Sequence, residues 1–217
     1  MEGTVFLQQP TPVELSNAER IRDAAIRCFA AQGISATTMR TIAEAAGVSH
    51  GLVQHHFGNK AGLVDAVDNY VLRVFGEALE SNPLPVPATP TNDFNSLGGR
   101  FSKLIHDHPD VVDYVGHALI EGNRIGSVIF DGLLQISARQ RDNFAAAGLT
   151  RPDLDQDWAA LNPLMLRLGP IMLRAHIARH IEGAFTTPAE LQRWDASVTA
   201  MIRHGQFKPQ GDSTTQD

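Results

Sequence analysis

Residues 41–57 read TIAEAAGVSHGLVQHHF. Gly47 separates two runs with helical spacing. The second opens on Ser49 and carries His50, Gln54, His55 and His56 without one carboxylate, in a chain whose net charge is −6. Helix-turn-helix geometry asks for these features. The reversal after the first helix needs a left-handed residue, which glycine supplies without steric cost. Ala43, Val48 and Val53 are spaced as apolar anchors that set the angle between the helices. The second helix then offers a polar, acid-free face to the major groove of a duplex. Phosphates repel carboxylates, whereas Gln and His hydrogen-bond to base edges.

Working outward, S-N-A-E at 16–19 is a capping box. Ile21, Ala25, Cys28 and Phe29 behind it fall on one helical face, and Gly33 is a stop. Thr37 or Thr38 caps the next helix and Ser49 the third. Asn59 caps a long fourth helix in which Leu63, Val64, Val67, Tyr70, Val71, Val74 and Phe75 recur at helical spacing. The segment 81–93, SNPLPVPATPTND, holds four prolines and reads as a loop or lid. Three helices are expected beyond it, at about 93–107, 109–122 and 124–147, with Pro109 at a first helical position. No strand or repeat is expected.

Two final helices follow. From Trp158 to Ile181 apolar residues occur nearly all round, which predicts a helix buried on every side and kinked or shifted by Pro163 and Pro170. T-P-A-E at 187–190 opens the last one. Adjacent apolar helices suggest a four-helix bundle made by two copies of the pair. The expected dimer-interface residues are Leu173, Ile177 and Ile181, with Leu191, Trp194, Val198, Met201 and Ile202.

The totals bound the class. The chain has 217 residues, 43% hydrophobic and 19% charged, enough for a helix-rich globular body. One cysteine excludes an intramolecular disulfide framework and points to a reducing cytoplasm. No secretory signal is read at the N-terminus, and three arginines interrupt the most apolar stretch, 158–181, so no membrane span or membrane partner is expected. Between 16 and 63 five basic residues face three acidic ones, a mildly basic module on an acidic body.

Residues 18–63, AERIRDAAIRCFAAQGISATTMRTIAEAAGVSHGLVQHHFGNKAGL, resemble the DNA-binding domain of the tetracycline-repressor (TetR) family. The first helix ending in FAAQG, the TTMRTIAEAAGVS core and the HFGNKAGL start of helix four carry the likeness. It implies an all-α fold, in which a three-helix helix-turn-helix domain is joined by a long helix to a larger ligand-binding and dimerisation domain. The expected boundaries are 1–62, 63–207 and a disordered tail, 208–217. It also implies a dimeric, non-enzymatic, ligand-responsive repressor of a palindromic DNA operator.

By the resemblance, Thr38, His56 and Lys60 contact phosphates, and Lys60 also stands where a helix N-terminus presents free amides. His50, Leu52, Gln54 and His55 are candidates for base edges, with Gly51 allowing close approach; Gln54 stands where many members have tyrosine. Ser49 reads as a cap beside the duplex, and Arg40 and the N-terminal arm as added backbone contacts. The effector pocket implied for the larger half is lined by Phe101, Leu104, Ile105, Tyr114, Val115, Leu119, Phe130, Leu134, Met165, Leu168 and Met172. Tyr114, His117, Asn162 and Arg167 are its polar anchors, for a mainly apolar, uncharged or weakly acidic small molecule. No cofactor or metal is expected.

Two alternatives compete. One is a constitutive DNA binder with a solid C-terminal core. The other is a metal-binding helical enzyme using His106 and His108 with His176 and His180, the last two an i, i+4 pair, completed by Asp107 or Asp110. The sequence holds no H-E-x-x-H, nucleophile–base signature or glycine-rich phosphate loop.

Overall fold

The computed structural model describes residues 15–79 and 97–208. Local capping sets where its helices begin. Ser16 Oγ accepts a hydrogen bond from the Glu19 amide, and the Glu19 carboxylate accepts from the Ser16 amide at 2.9 Å, closing the capping box of α1, Asn17–Ala36. Those bonds hold the Glu19 carboxyl below its usual range. At Gly33 (φ 79°, ψ 159°) α1 leaves helical geometry, and Thr37 Oγ1 donates to the Gly33 carbonyl at 2.8 Å. Thr37 is therefore a buried clasp, and Thr38 is the cap of α2, Met39–Ala46. Gly47 stops α2 in the left-handed region, φ 66° and ψ 38°. Ser49 starts α3, His50–Phe57, and Asn59 Oδ1 accepts from the Gly62 amide at the head of α4, Lys60–Leu79.

The body is α5 (Leu97–Asp107), α6 (Pro109–Glu121), α7 (Arg124–Ala146), α8 (Gln156–Met172), the single turn α9 (Arg174–Ile177) and α10 (Pro188–Gln206). Among the described residues there is no strand, only an isolated bridge between Thr150 and Phe207, and no helix is long and apolar enough to cross a membrane. The fold is all-α, as expected. The Pro-rich segment 81–93, the helix start near 93, the N-terminal arm and residues 209–217 lie outside the described residues. Lys208, expected in the tail, is held by its amide on Leu149 O and its Nζ on Gly148 O.

One apolar core runs through both halves. Ile21, Ala25 and Phe29 of α1 pack with Ile42, Val53, Leu63 and Val67, and the cluster continues into α5–α8 through Phe101, Leu104, Tyr114 and Leu168. α6 lies between α1, α7 and α8. Asp68, buried on α4, accepts from Tyr114 Oη of α6 at 2.7 Å and from Arg124 Nη2 of α7 at 2.7 Å. The Tyr114 ring also lies 6.2 Å from Phe29. A single carboxylate thus ties α4 to α6 and α7, and burial beside it pushes the Tyr114 hydroxyl pKa well up.

The expected helix 158–181 is corrected. It ends at Met172, and beyond α9 the chain turns, with Gly183 at φ 84°. After Pro170 the apolar run gives way to Arg174, His176, Arg179 and His180, and Arg174 leaves the helix line to pair with Asp113 of α6. The proline inside α8 is accommodated by side chains. Pro163 has no amide for the Ala159 carbonyl, and Gln206 Nε2 of α10 donates to that carbonyl at 3.0 Å instead. Ser137 Oγ of α7 serves the Ala160 carbonyl at 2.7 Å.

Nor is α8 buried on every side. Ala160, Leu164, Arg167, Leu168 and Ile171 face inward, while Trp158 and Met165 are exposed. α10 divides in the same way, which corrects part of the expected interface. Leu191 and Val198 are buried in the chain's own core, Trp194 packs on Phe185 and Phe101 (ring centroids 5.4 and 6.4 Å), and Ile181 packs half-buried on the same core. Leu173 and Met201 are exposed, and Ile177 and Ile202 are half-buried.

Candidate DNA-reading site

α2 and α3 meet at Gly47–Val48, where the Val48 amide donates to Ala43 O. Val53 and Ala43 are buried and Val48 half-buried, so the three anchors that set the angle point inward. The opposite face of α3 is open: His50, Gly51, Gln54, His55 and His56 are exposed, and Leu52 is half-buried. The His55 and His56 rings lie 5.5 Å apart, edge to face. Ser49 Oγ accepts from the Leu52 amide at 3.2 Å, so its side chain is spent on the cap.

Around this face the permanent charges are few and engaged. Arg40 Nε pairs with Glu44 at 3.2 Å on the exposed side of α2. Lys60 Nζ donates to the Ser35 carbonyl at 3.2 Å, bracing the α1–α2 turn against the head of α4. Thr38 Oγ1 accepts from the Thr41 amide and shares a 2.8 Å contact with Thr41 Oγ1.

Two members of this surface escaped the sequence reading. Arg20 Nη2 donates to the Ala46 carbonyl at 2.8 Å, which pins the end of α2 from α1 across 26 positions. Thr41 adds a second hydroxyl beside Thr38. The pattern i, i+3 from a capping threonine signals Thr41; nothing local signals Arg20. A side chain at Gly51 would meet nothing closer than Ser49 Oγ at 4.0 Å, so the fold itself does not require glycine there.

The residues expected to line an effector pocket separate into groups. Phe101, Leu104, Ile105, Val115 and Leu168 are buried together with Tyr114, and Leu119, Phe130, Leu134 and Met172 pack half-buried on the same core. Two expected anchors are committed internally: Tyr114 donates to Asp68, and Arg167 Nη1 donates to Asp195 of α10 at 2.6 Å inside the body. His117, Asn162 and Met165 lie on the surface instead, because α6 and α8 turn only one arc of their circumference inward. Asn162 and Met165 join Trp158, Met201 and Ile202 along a groove of about 560 Å³ between α8 and α10, which Asp153 and Asp155 also line.

The histidines outside α3 are dispersed. His106 Nδ1 is 3.1 Å from Thr186 O, His108 is the N-cap of α6, and His176 Nδ1 contacts Arg179 Nη2. His176 stands in α9 and His180 in the turn after it, so the pair does not share a helix face. Among the described residues no group of three His, Cys, Asp or Glu side chains is placed to hold a metal ion.

Inward-facing apolar anchors, a glycine reversal and a short exposed polar helix define a helix-turn-helix module mounted on a helical body. Residues 21–67 match the model of the bacterial regulatory proteins of the tetR family. The chain is 31% identical over 154 residues to the transcriptional repressor KstR2 of Mycolicibacterium smegmatis, covering 65% of this chain and 71% of that protein. It is 30% identical over 142 residues to the transcriptional regulatory protein RaaS of Mycobacterium tuberculosis, covering 65% of this chain and 63% of RaaS. The solved complex of SmeT, the repressor of a Stenotrophomonas maltophilia multidrug efflux pump, with triclosan superposes with a TM-score of 0.61 at 19% identity, over 94% of this chain and 98% of that one. The chain belongs to the TetR family of transcriptional regulators.

Proposed function

We propose that this regulator is a cytoplasmic repressor that binds a palindromic operator as a homodimer and is released by a small, mainly apolar molecule. The observation that carries the DNA half is the exposed, acid-free face of α3 above the buried Val53. In this reading His50, Leu52, Gln54 and His55 meet base edges, and Thr38, Arg40, His56 and Lys60 meet phosphates. Residues up to about 62 form the reading module, and those from 63 to 207 the effector and dimer body. Two copies join through the outer faces of α8 and α10, where Trp158, Met165 and Met201, with Leu173 just past the end of α8, leave large apolar side chains exposed. Their reading helices then enter successive major grooves about 34 Å apart.

An uncharged effector fits a body whose buried tyrosine and arginine are already paired within the chain. Binding of triclosan by SmeT is the nearest support for such a ligand on this fold. The test is titration of the protein against duplexes it selects from sheared genomic DNA. Protection of two half-sites about one helical turn apart is expected; a single isolated half-site at saturation would overturn the dimer. K60A is expected to weaken binding to all duplexes alike and to lower the salt slope by about one ion per subunit. Altered sequence preference in K60A would remove Lys60 from the phosphate contacts.

A further inference from the structure

α3, HGLVQHHF, contains no lysine or arginine, so its exposed face has no permanent positive charge. Three of its eight residues are imidazoles, the side chains that change charge between about pH 5 and 8. DNA affinity rests largely on cations set against phosphates, and in the free protein each permanent cation around α3 already has a partner within the chain. From α1, Arg20 donates to Ala46 O. Its other charged groups also have partners: Glu19 at Ser16, Arg22 with Asp23, and Arg27 near Asp110. From α2, Arg40 is paired with Glu44, the one acid on that helix. From α4, Lys60 donates to Ser35 O, while Asp65 and Asp68 lie against Arg124 of α7.

We propose that this protein takes up protons when it binds DNA, through His50, His55 and His56, so that operator affinity rises as pH falls. The inference rests on α3 being the DNA-reading helix and adds, beside the phosphate contacts of Arg40 and Lys60, a charge that depends on pH. The rings of His55 and His56 lie 5.5 Å apart on this exposed face. Phosphates at the groove edge favour the imidazolium form of all three. Each ring more fully protonated in the complex than in solution contributes affinity that is gained as pH falls and lost as pH rises. A dimer doubles the number of sites, which makes the response steep.

The experiment uses the full chain and a duplex it has selected from a random pool, at constant ionic strength. Anisotropy titrations between about pH 8 and pH 6 are expected to show binding at least about tenfold tighter at the acid end. Calorimetry in two buffers of different ionisation enthalpy is expected to show net proton uptake. The single variants H50Q, H55Q and H56Q should each reduce that uptake, and the triple variant should abolish the pH dependence. H176Q/H180Q, altered far along the chain from α3, should leave it unchanged. Equal affinity across the range, zero uptake by the parent, or a pH dependence surviving in the triple variant would overturn the proposal. Failure of the parent chain to select any duplex from the pool at any pH would instead overturn the DNA-reading assignment, so the two failures are distinguishable.

Discussion

In the reading module the hydroxyls that start α2 and α3 bond to amides three residues on, and the charged pair Arg40–Glu44 spans one turn in open solvent. In the body, Tyr114 reaches Asp68 across 46 positions, Arg124 reaches it across 56, and Arg167 reaches Asp195 across 28, with both carboxylates buried. The difference is one of purpose. A surface that must meet another molecule keeps its polar groups outside, and the long-range bonds that brace it, from Arg20 to Ala46 O and from Lys60 to Ser35 O, end on backbone carbonyls and not on buried charges. A body that must hold several helices in register uses buried polar pairs, which are costly to break and therefore specify geometry.

That contrast can be broken or sharpened by substitution. The largest effect is expected for Asp195→Ala, which strands the Arg167 guanidinium in the interior. Breaking a buried pair from one side costs about 3–5 kcal/mol, to be read in denaturant unfolding. A loss below 1 kcal/mol would mean that water reaches this pair and that the body is not organised as argued. The close approach of α5 belongs to the same junction, since a Cβ on Gly98 would fall 2.0 Å from Asp195 Oδ1.

Asp68→Ala comes next. It leaves the buried Tyr114 hydroxyl without its acceptor, a loss of about 1–3 kcal/mol. Because Asp68 sits on the helix that leads out of the reading module, operator affinity should fall along with stability. If Tyr114→Phe with Asp68→Ala cost the sum of the two single changes, the pair would not be acting as one junction.

The smallest change in stability should come from Gly51→Ala, and it should have opposite signs in two assays. Alanine favours an exposed helix by up to about 1 kcal/mol over glycine, and nothing in the fold opposes the added methyl. The melting temperature should rise while operator binding weakens, because the methyl stands between α3 and the groove. A variant that binds as well as the parent would show that the backbone at Gly51 does not approach DNA closely.

Legibility followed the same division. The capping box at Ser16, the caps at Ser49 and Asn59, and the reversal at Gly47 each depend on a few adjacent residues, and each is found where the sequence places it; of the two threonines it offered as the cap of α2, the structure uses Thr38. Arg20 was invisible because its acceptor is a backbone carbonyl, which leaves no trace in residue identity. α8 and α10 were misread for a related reason. Composition shows that a helix is apolar, not which arc another helix covers, so Trp158 and Met165 of α8 were assigned inward though they are exposed, and Leu191 and Val198 of α10 outward though their own chain buries them.

The sequence by itself determined that the chain is helical, where most of its helices begin and end, and that one short helix is free of acid and rich in imidazole. These follow from periodicity, caps and charge, which act over one or two turns. Tertiary structure alone decided that α8 stops at Met172, that Tyr114 and Arg167 are spent on Asp68 and Asp195, and which faces of α8 and α10 stay open. Those outcomes depend on which helices meet, and side chains far apart in the chain find their partners only once the core has closed around them.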